Sequence, residues 1–126
     1  MIRIIGTGVL FAMAGRPREF NVVVARDAAM QLFWTQGYEA TSLNDLLSAM
    51  NLSKSSFYQT FESKHALFEQ CLIRYEEILI CAMREGLATA PSSLAFIHGV
   101  LTDISKETRD PQGRRGCLMM NTAAEF

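Results

Sequence analysis

Residues 41–61 read TSLNDLLSAMNLSKSSFYQTF. Leu43, Leu46, Leu47 and Met50 recur at intervals of three and four, which makes one apolar stripe of a short helix. Thr41 or Ser42 stands in front of it as a cap. Asn51 follows, and after glycine it is the residue best suited to the left-handed backbone that a tight turn needs. Leu52 adds an apolar anchor, Ser53 caps again, and a further helix runs to about Thr60. Two short helices joined by a turn of a few residues form a helix-turn-helix.

The same spacing extends in both directions. AGRPREF (14–20) reads as an arm, because Gly15 and Pro17 discourage regular structure. Asn21 is the expected cap of a first helix, with Val24, Ala25, Ala28, Leu32 and Phe33 at helical intervals and an end at Gly37. A short strand at Val22–Val24 is the rival reading, since β-branched residues start helices poorly. Ser63 caps a fourth, longer helix that carries Leu67, Phe68, Cys71, Tyr75 and Ile78 and fades near Gly86. Pro91-Ser92-Ser93 opens a fifth, with Leu94, Ile97, Leu101 and Ile104 on one stripe. RDPQGRRG (109–116) is a loop, and CLMMNTAAEF (117–126) begins a sixth helix. No strand is needed, so the expected fold is all-α.

The totals bound the reading. A chain of 126 residues with 49% hydrophobic and 20% charged residues folds around a core, as one domain or as a small domain plus part of another. The formal net charge of -1 points to no partner, so any nucleic-acid case rests on where the charges sit. Cys71, Cys81 and Cys117 lack paired spacing, and the first two lie ~15 Å apart along one helix, too far to bridge. They read as reduced thiols and place the protein in the cytoplasm. MIRIIGTGVLFAMA (1–14) imitates an export signal, but Gly6 and Gly8 interrupt its apolar run. It reads as an extension, disordered or weakly packed, with Met13 as a second plausible start. No segment is membrane-like.

On a wheel of 100° per residue the third helix turns Phe57 and Phe61 inward. Ser55 and Gln59 lie on the opposite face, with Ser56 and Tyr58 on its flanks. Hydroxyls, an amide and a phenol bond base edges and phosphates, and small residues let a helix lie deep in a major groove. Lys54 and Lys64 sit in the first turns of the third and fourth helices, where a lone cation opposes the helix dipole. A docked phosphate reverses that sign, since it meets both the ammonium and the free N–H groups. Two solvated lysines are the plain alternative. Arg16 and Arg18 on the arm fit a reach to an adjacent minor groove or backbone, or simply a solvated tail.

Other chemistry finds little support. His65 and His98 are isolated, with no metal-ligand spacing. Glu76 and Glu77 are adjacent on a helix and do not face each other. No phosphate loop or nucleophile elbow occurs, so no enzyme, cofactor or metal is expected. Cys117 follows Arg114-Arg115 and opens a helix, and both features lower a thiol pKa. A redox- or electrophile-sensing thiol and a buried small hydrophobe are the two readings of it.

GRPREF, MQLFWTQGYEATSL and SKSSFYQTFESKHALF together resemble the TetR/AcrR family of bacterial transcriptional regulators, over about Gly15 to Tyr75. Gly37, Tyr38, Thr41, Leu46, Phe57, Tyr58, Phe61, Lys64 and Leu67 stand where the family pattern has them. RGCLMMNTAAE is similar to the start of the sixth helix in one group of these regulators. The resemblance implies a DNA-binding domain over 15–62 and a helical effector-binding and dimerisation domain from 63. It implies that Thr41, Ser42, Tyr58 and Lys64 touch phosphate, while Lys54, Ser55, Ser56 and Gln59 face the groove. It further implies double-stranded operator DNA as partner, a homodimer, repression, and a small-molecule effector. Cys71, Tyr75, Ile78, Ile97, Leu101 and Cys117 are the candidate pocket lining. Asn51 departs from the usual turn glycine. The family's chains run on beyond a sixth helix, so residues 63–126 read as an incomplete domain of a truncated product. The alternative is an interaction module that binds no DNA and pairs with an intact relative.

Overall fold

The structure is a computed structural model that describes residues 18–111 and 113–126. The expected extension over 1–14 and the arm residue Arg16 lie outside the described residues.

The described chain is all-α. Its order is α1 (Arg18–Gln36), α2 (Leu43–Met50), α3 (Lys54–Phe61), α4 (Lys64–Thr89), α5 (Ser93–Glu107), one 3-10 turn (Gly113–Arg115) and α6 (Leu118–Glu125). Helix α1 begins at Arg18, so Asn21 lies inside it and is not its cap. Val22–Val24 are helical too, which removes the strand alternative. The cost of three β-branched residues is a few tenths of a kcal/mol each. Burial of Ala25, Ala29, Met30 and Phe33 on one face of α1 outweighs it. Gly37 ends the helix with φ +84°, and its N–H donates to Phe33 O at 2.8 Å.

Short polar devices set the next three helices. Ser42 caps α2 in a reciprocal box, its Oγ accepting from Asp45 N–H while the Ser42 N–H donates to the Asp45 carboxylate. Asn51 takes the left-handed conformation, φ 53°, ψ 47°, so it does the work of the turn glycine. Ser53 caps α3 by accepting from Ser56 N–H, and Ser63 caps α4 by accepting from Ala66 N–H. Between them Glu62 adopts φ 66°, ψ -50°, and Ser63 N–H donates back to Phe61 O at 2.7 Å. That is a γ-turn on a non-glycine residue, a rare and strained connection.

One core joins these elements. Phe33 of α1, Leu46 and Met50 of α2, and Phe57 and Phe61 of α3 meet Leu67, Phe68, Cys71 and Tyr75 of α4, with Leu118 of α6 closing it. The core therefore runs on through the first half of α4, past residue 62. Beyond Tyr75 the chain thins out. Helix α4 continues to Thr89, three residues past the expected fade at Gly86. Gly86 faces α5 there: a Cβ would stand 3.0 Å from the Phe96 ring, which would have to shift. No residue of α5 is buried.

Candidate nucleic-acid interface

Helix α3 presents the expected two faces. Phe57 and Phe61 are buried in the core. Lys54, Ser55, Tyr58 and Gln59 are exposed and Ser56 is half-buried. Three serines in four residues divide their work. Ser53 Oγ caps the helix and also donates to Ser56 Oγ at 2.9 Å, while Ser55 Oγ lies 3.4 Å from Ser53 Oγ on the open side. The Tyr58 ring stands edge-on to Phe57, 5.4 Å between centroids, which leaves its side chain 46% exposed.

The start of α2 differs from expectation. Thr41 is fully buried, and its hydroxyl donates to Gly37 O at 2.6 Å. A hydroxyl used in that way shapes the α1–α2 loop and is not turned toward a phosphate. Ser42 is exposed, but its hydroxyl donates to Asp45 Oδ2 at 2.6 Å and is shared with the cap. The Ser42 hydroxyl, then its backbone N–H, hold the Asp45 carboxyl below the usual carboxylate range.

Lys64 opens α4 beside this surface. Its Nζ lies 4.3 Å above the Tyr38 ring centroid, a cation–π contact. Tyr38 packs against Phe68 at 4.8 Å and Phe126 at 5.3 Å, with His65 edge-on at 6.0 Å. The Glu125 carboxylate of α6 reaches the same loop. It accepts from Glu39 N–H at 2.7 Å and from Tyr38 N–H at 3.0 Å. These two N–H groups, that of Glu39 ahead of that of Tyr38, hold the Glu125 carboxyl below its ordinary pKa, and Lys64 adds to the effect. Nearby, Trp34 Nε1–H donates to Gly116 O at 2.9 Å, and the Arg115 guanidinium lies 4.2 Å over the Trp34 ring and bonds Gln31. Sequence reading singled out neither Trp34 nor Glu125 nor the strained Glu62. Gly37 stands out as a helix end, and Tyr38 only through the family pattern.

The candidate pocket residues divide: four gather on the core and the two on α5 stand exposed. Cys71 and Tyr75 belong to the core, while Ile97 and Leu101 of α5 are 53% and 62% exposed. Ile78 and Cys117 pack at the core's edge. A cleft of about 340 Å3 lies elsewhere, between the end of α1 and α6, lined in part by Trp34, Arg114 and Asn121. Burial pushes the Cys71 thiol up to about 12. For Cys117 burial acts upward too, but the Met120 N–H, the Tyr75 hydroxyl and the Met119 N–H together leave the thiol below its ordinary value.

A sequence profile of bacterial regulatory proteins, tetR family, matches residues 25–71, the span from the core face of α1 into α4. The chain is also 35% identical to a double cysteine mutant of the TetR family transcriptional regulator CifR, solved in complex with 26-bp double-strand operator DNA. That likeness has a TM-score of 0.67 and covers 82% of this chain and 54% of that one.

The chain belongs to the TetR family. Among its relatives, the HTH-type transcriptional repressor ComR of Escherichia coli K12 is 36% identical over 115 residues, 85% of this chain and 51% of ComR. The regulator YezE of Bacillus subtilis is 32% identical over 111 residues, 88% of this chain and 57% of YezE. IcaR of Staphylococcus aureus, a negative transcriptional regulator of a biofilm operon, is 41% identical over 104 residues, 79% of this chain and 54% of IcaR. The chain thus spans about half the length of the curated relatives it matches. Its fold is the TetR fold, with the helix-turn-helix toward the N-terminus. No described helix is long and apolar enough to cross a membrane.

Proposed function

We propose that this chain is a non-enzymatic, TetR-type transcriptional repressor that acts on operator DNA in the cytoplasm. The observation that carries the reading is the division of α3, which buries Phe57 and Phe61 and exposes Lys54, Ser55, Tyr58 and Gln59. Lys54, Tyr58 and Lys64 supply backbone contacts, and Ser55 and Gln59 read base edges. ComR and IcaR are named as repressor and negative regulator, which supports the sign of the response. A homodimer would set two such helices on adjacent half-sites, and a small-molecule effector held by the later helices would change their separation.

Titration of random and selected DNA duplexes at several salt concentrations tests this. Lys64→Ala should weaken binding to all sequences and lower the salt slope by about one. Gln59→Ala should instead change the preference among bases. A slope unchanged by Lys64→Ala, with base preference unchanged by Gln59→Ala, would refute the interface.

A second reading has its own observation. Leu94, Ile97, Leu101 and Ile104 line one exposed face of α5. A face of this kind favours association with another chain. Concentration-dependent sedimentation without any DNA binding would favour an interaction module instead.

A further inference from the structure

Helix α1 is closed by Gly37, φ +84°, whose own N–H stays on Phe33 O. The next two amides of the chain are taken by one distant carboxylate: Glu125 accepts from Tyr38 N–H across 87 positions and from Glu39 N–H across 86. The fit depends on Gly37, because a Cβ there would stand 3.1 Å from Glu125 Oε2. One of the two bonded residues, Tyr38, also carries the ring beneath the Lys64 ammonium. Phe126, next to Glu125, packs on that ring at 5.3 Å and on its neighbour Phe68 at 6.1 Å.

We propose that Glu125 is a positioning residue of the DNA-binding surface: by holding the Tyr38 and Glu39 amides it fixes the Tyr38 ring as the shelf that aims Lys64 at a DNA phosphate. This rests on the reading of Lys64 as a phosphate contact. Glu125 touches no DNA itself. It reaches Lys64 through the loop, and it ties α6, the last helix described, to the α1–α2 corner. Its negative charge also lies near Lys64, so two effects of its removal compete. Loss of the shelf weakens phosphate binding, while loss of a countercharge strengthens it. The countercharge effect is small because Glu125 is exposed and screened by solvent. The positional effect therefore wins.

The test is a double-mutant cycle on the full chain, read with a random-sequence DNA duplex at low salt. Glu125→Gln should weaken binding by about fivefold, a coupling of ordinary size. In a Lys64→Ala background the same change should alter binding by less than about twofold, since the effect runs through Lys64. The Tyr38 and Glu39 amide protons should move upfield and exchange faster in Glu125→Gln, as seen by NMR. Glu125→Asp keeps the charge, is one methylene too short to span both amides, and should fall between the two. Equal losses in both Lys64 backgrounds would overturn the proposal, because Glu125 would then act on the fold at large. Tighter binding by Glu125→Gln would overturn it as well, because Glu125 would then be a competitor for Lys64. Parent binding that Lys64→Ala leaves untouched would instead remove the phosphate contact on which both readings stand.

Discussion

The two halves of α4 belong to different kinds of surface. From Lys64 to Tyr75 its apolar side chains meet α1, α2 and α3 in one core. From Ile78 to Thr89 the helix continues with only half-buried or exposed side chains, and α5 beside it buries nothing. The apolar spacing is similar on both sides of the divide. What differs is the partner: the first half has α1, α2, α3 and the start of α6 to pack against, and the second has essentially α5. An apolar stripe thus marks a face that can be covered, and its neighbours decide whether it is.

The sharpest way to break this contrast is to truncate one residue from each side. Phe57→Ala should cost about 3–5 kcal/mol, because the ring is fully buried and the site cannot collapse around the gap. Leu101→Ala should stay within about 0.5 kcal/mol in the isolated monomer, as befits an exposed position. Urea unfolding of both variants measures the pair. A large loss from Leu101→Ala that fades on dilution would reveal association through α5.

Within the first region the polar face can be tested separately from the core. Tyr58→Phe removes one exposed hydroxyl and should leave urea unfolding unchanged. It should weaken duplex binding by about 1–2 kcal/mol if the partner is a charged phosphate. Equal affinity for the two proteins would take Tyr58 out of the interface. The corner between α3 and α4 offers a change of opposite sign. Glu62→Gly should raise stability by about 1 kcal/mol, since glycine adopts φ 66° without strain. A drop in the thermal midpoint would mean that the Glu62 side chain contributes more than its backbone costs.

The smallest effect is acid sensitivity. Asp45 and Glu125 both have carboxyls held below their ordinary pKa in the folded chain. The unfolded chain therefore takes up protons first as pH falls. The stability these groups contribute is complete above about pH 4–4.5, the range of free carboxyls, and is lost as pH drops through the lower folded values. Thermal midpoints measured from neutral pH downward should show this decline, and Glu125→Gln should flatten part of it. Lys64, His65 and Glu39 face the same corner, so a flattening by Lys64→Ala would show that the ammonium shares in it.

Much of the fold is legible because it depends on local chemistry. Ser42, Asn51, Ser53 and Ser63 act within three residues of themselves, and Phe57 and Phe61 follow a helical period, so neighbours in sequence suffice to read them. The start of α1 differs: Asn21 is a good local cap, yet the helix already runs at Arg18, three residues ahead of it. Thr41 has a cap's side chain and spends it on Gly37 O, which spacing does not reveal. The Glu125 contact joins residues more than eighty positions apart and leaves no periodic trace. Ile97 and Leu101 stay exposed, apart from Cys71, Tyr75, Ile78 and Cys117, because apolar spacing on α5 says which residues share a face and nothing about what that face meets.

Trp34 is the only tryptophan in the chain. Its indole N–H is bonded to Gly116 O, and a guanidinium is stacked on its ring. Both partners come from the segment that leads into α6. Its ultraviolet emission is therefore an intrinsic optical probe of whether that segment is docked on α1. Undocking would hydrate the half-buried indole and shift its emission to the red, with no dye or label attached. A single cuvette could follow α6 leaving or returning while DNA or a small molecule is titrated in.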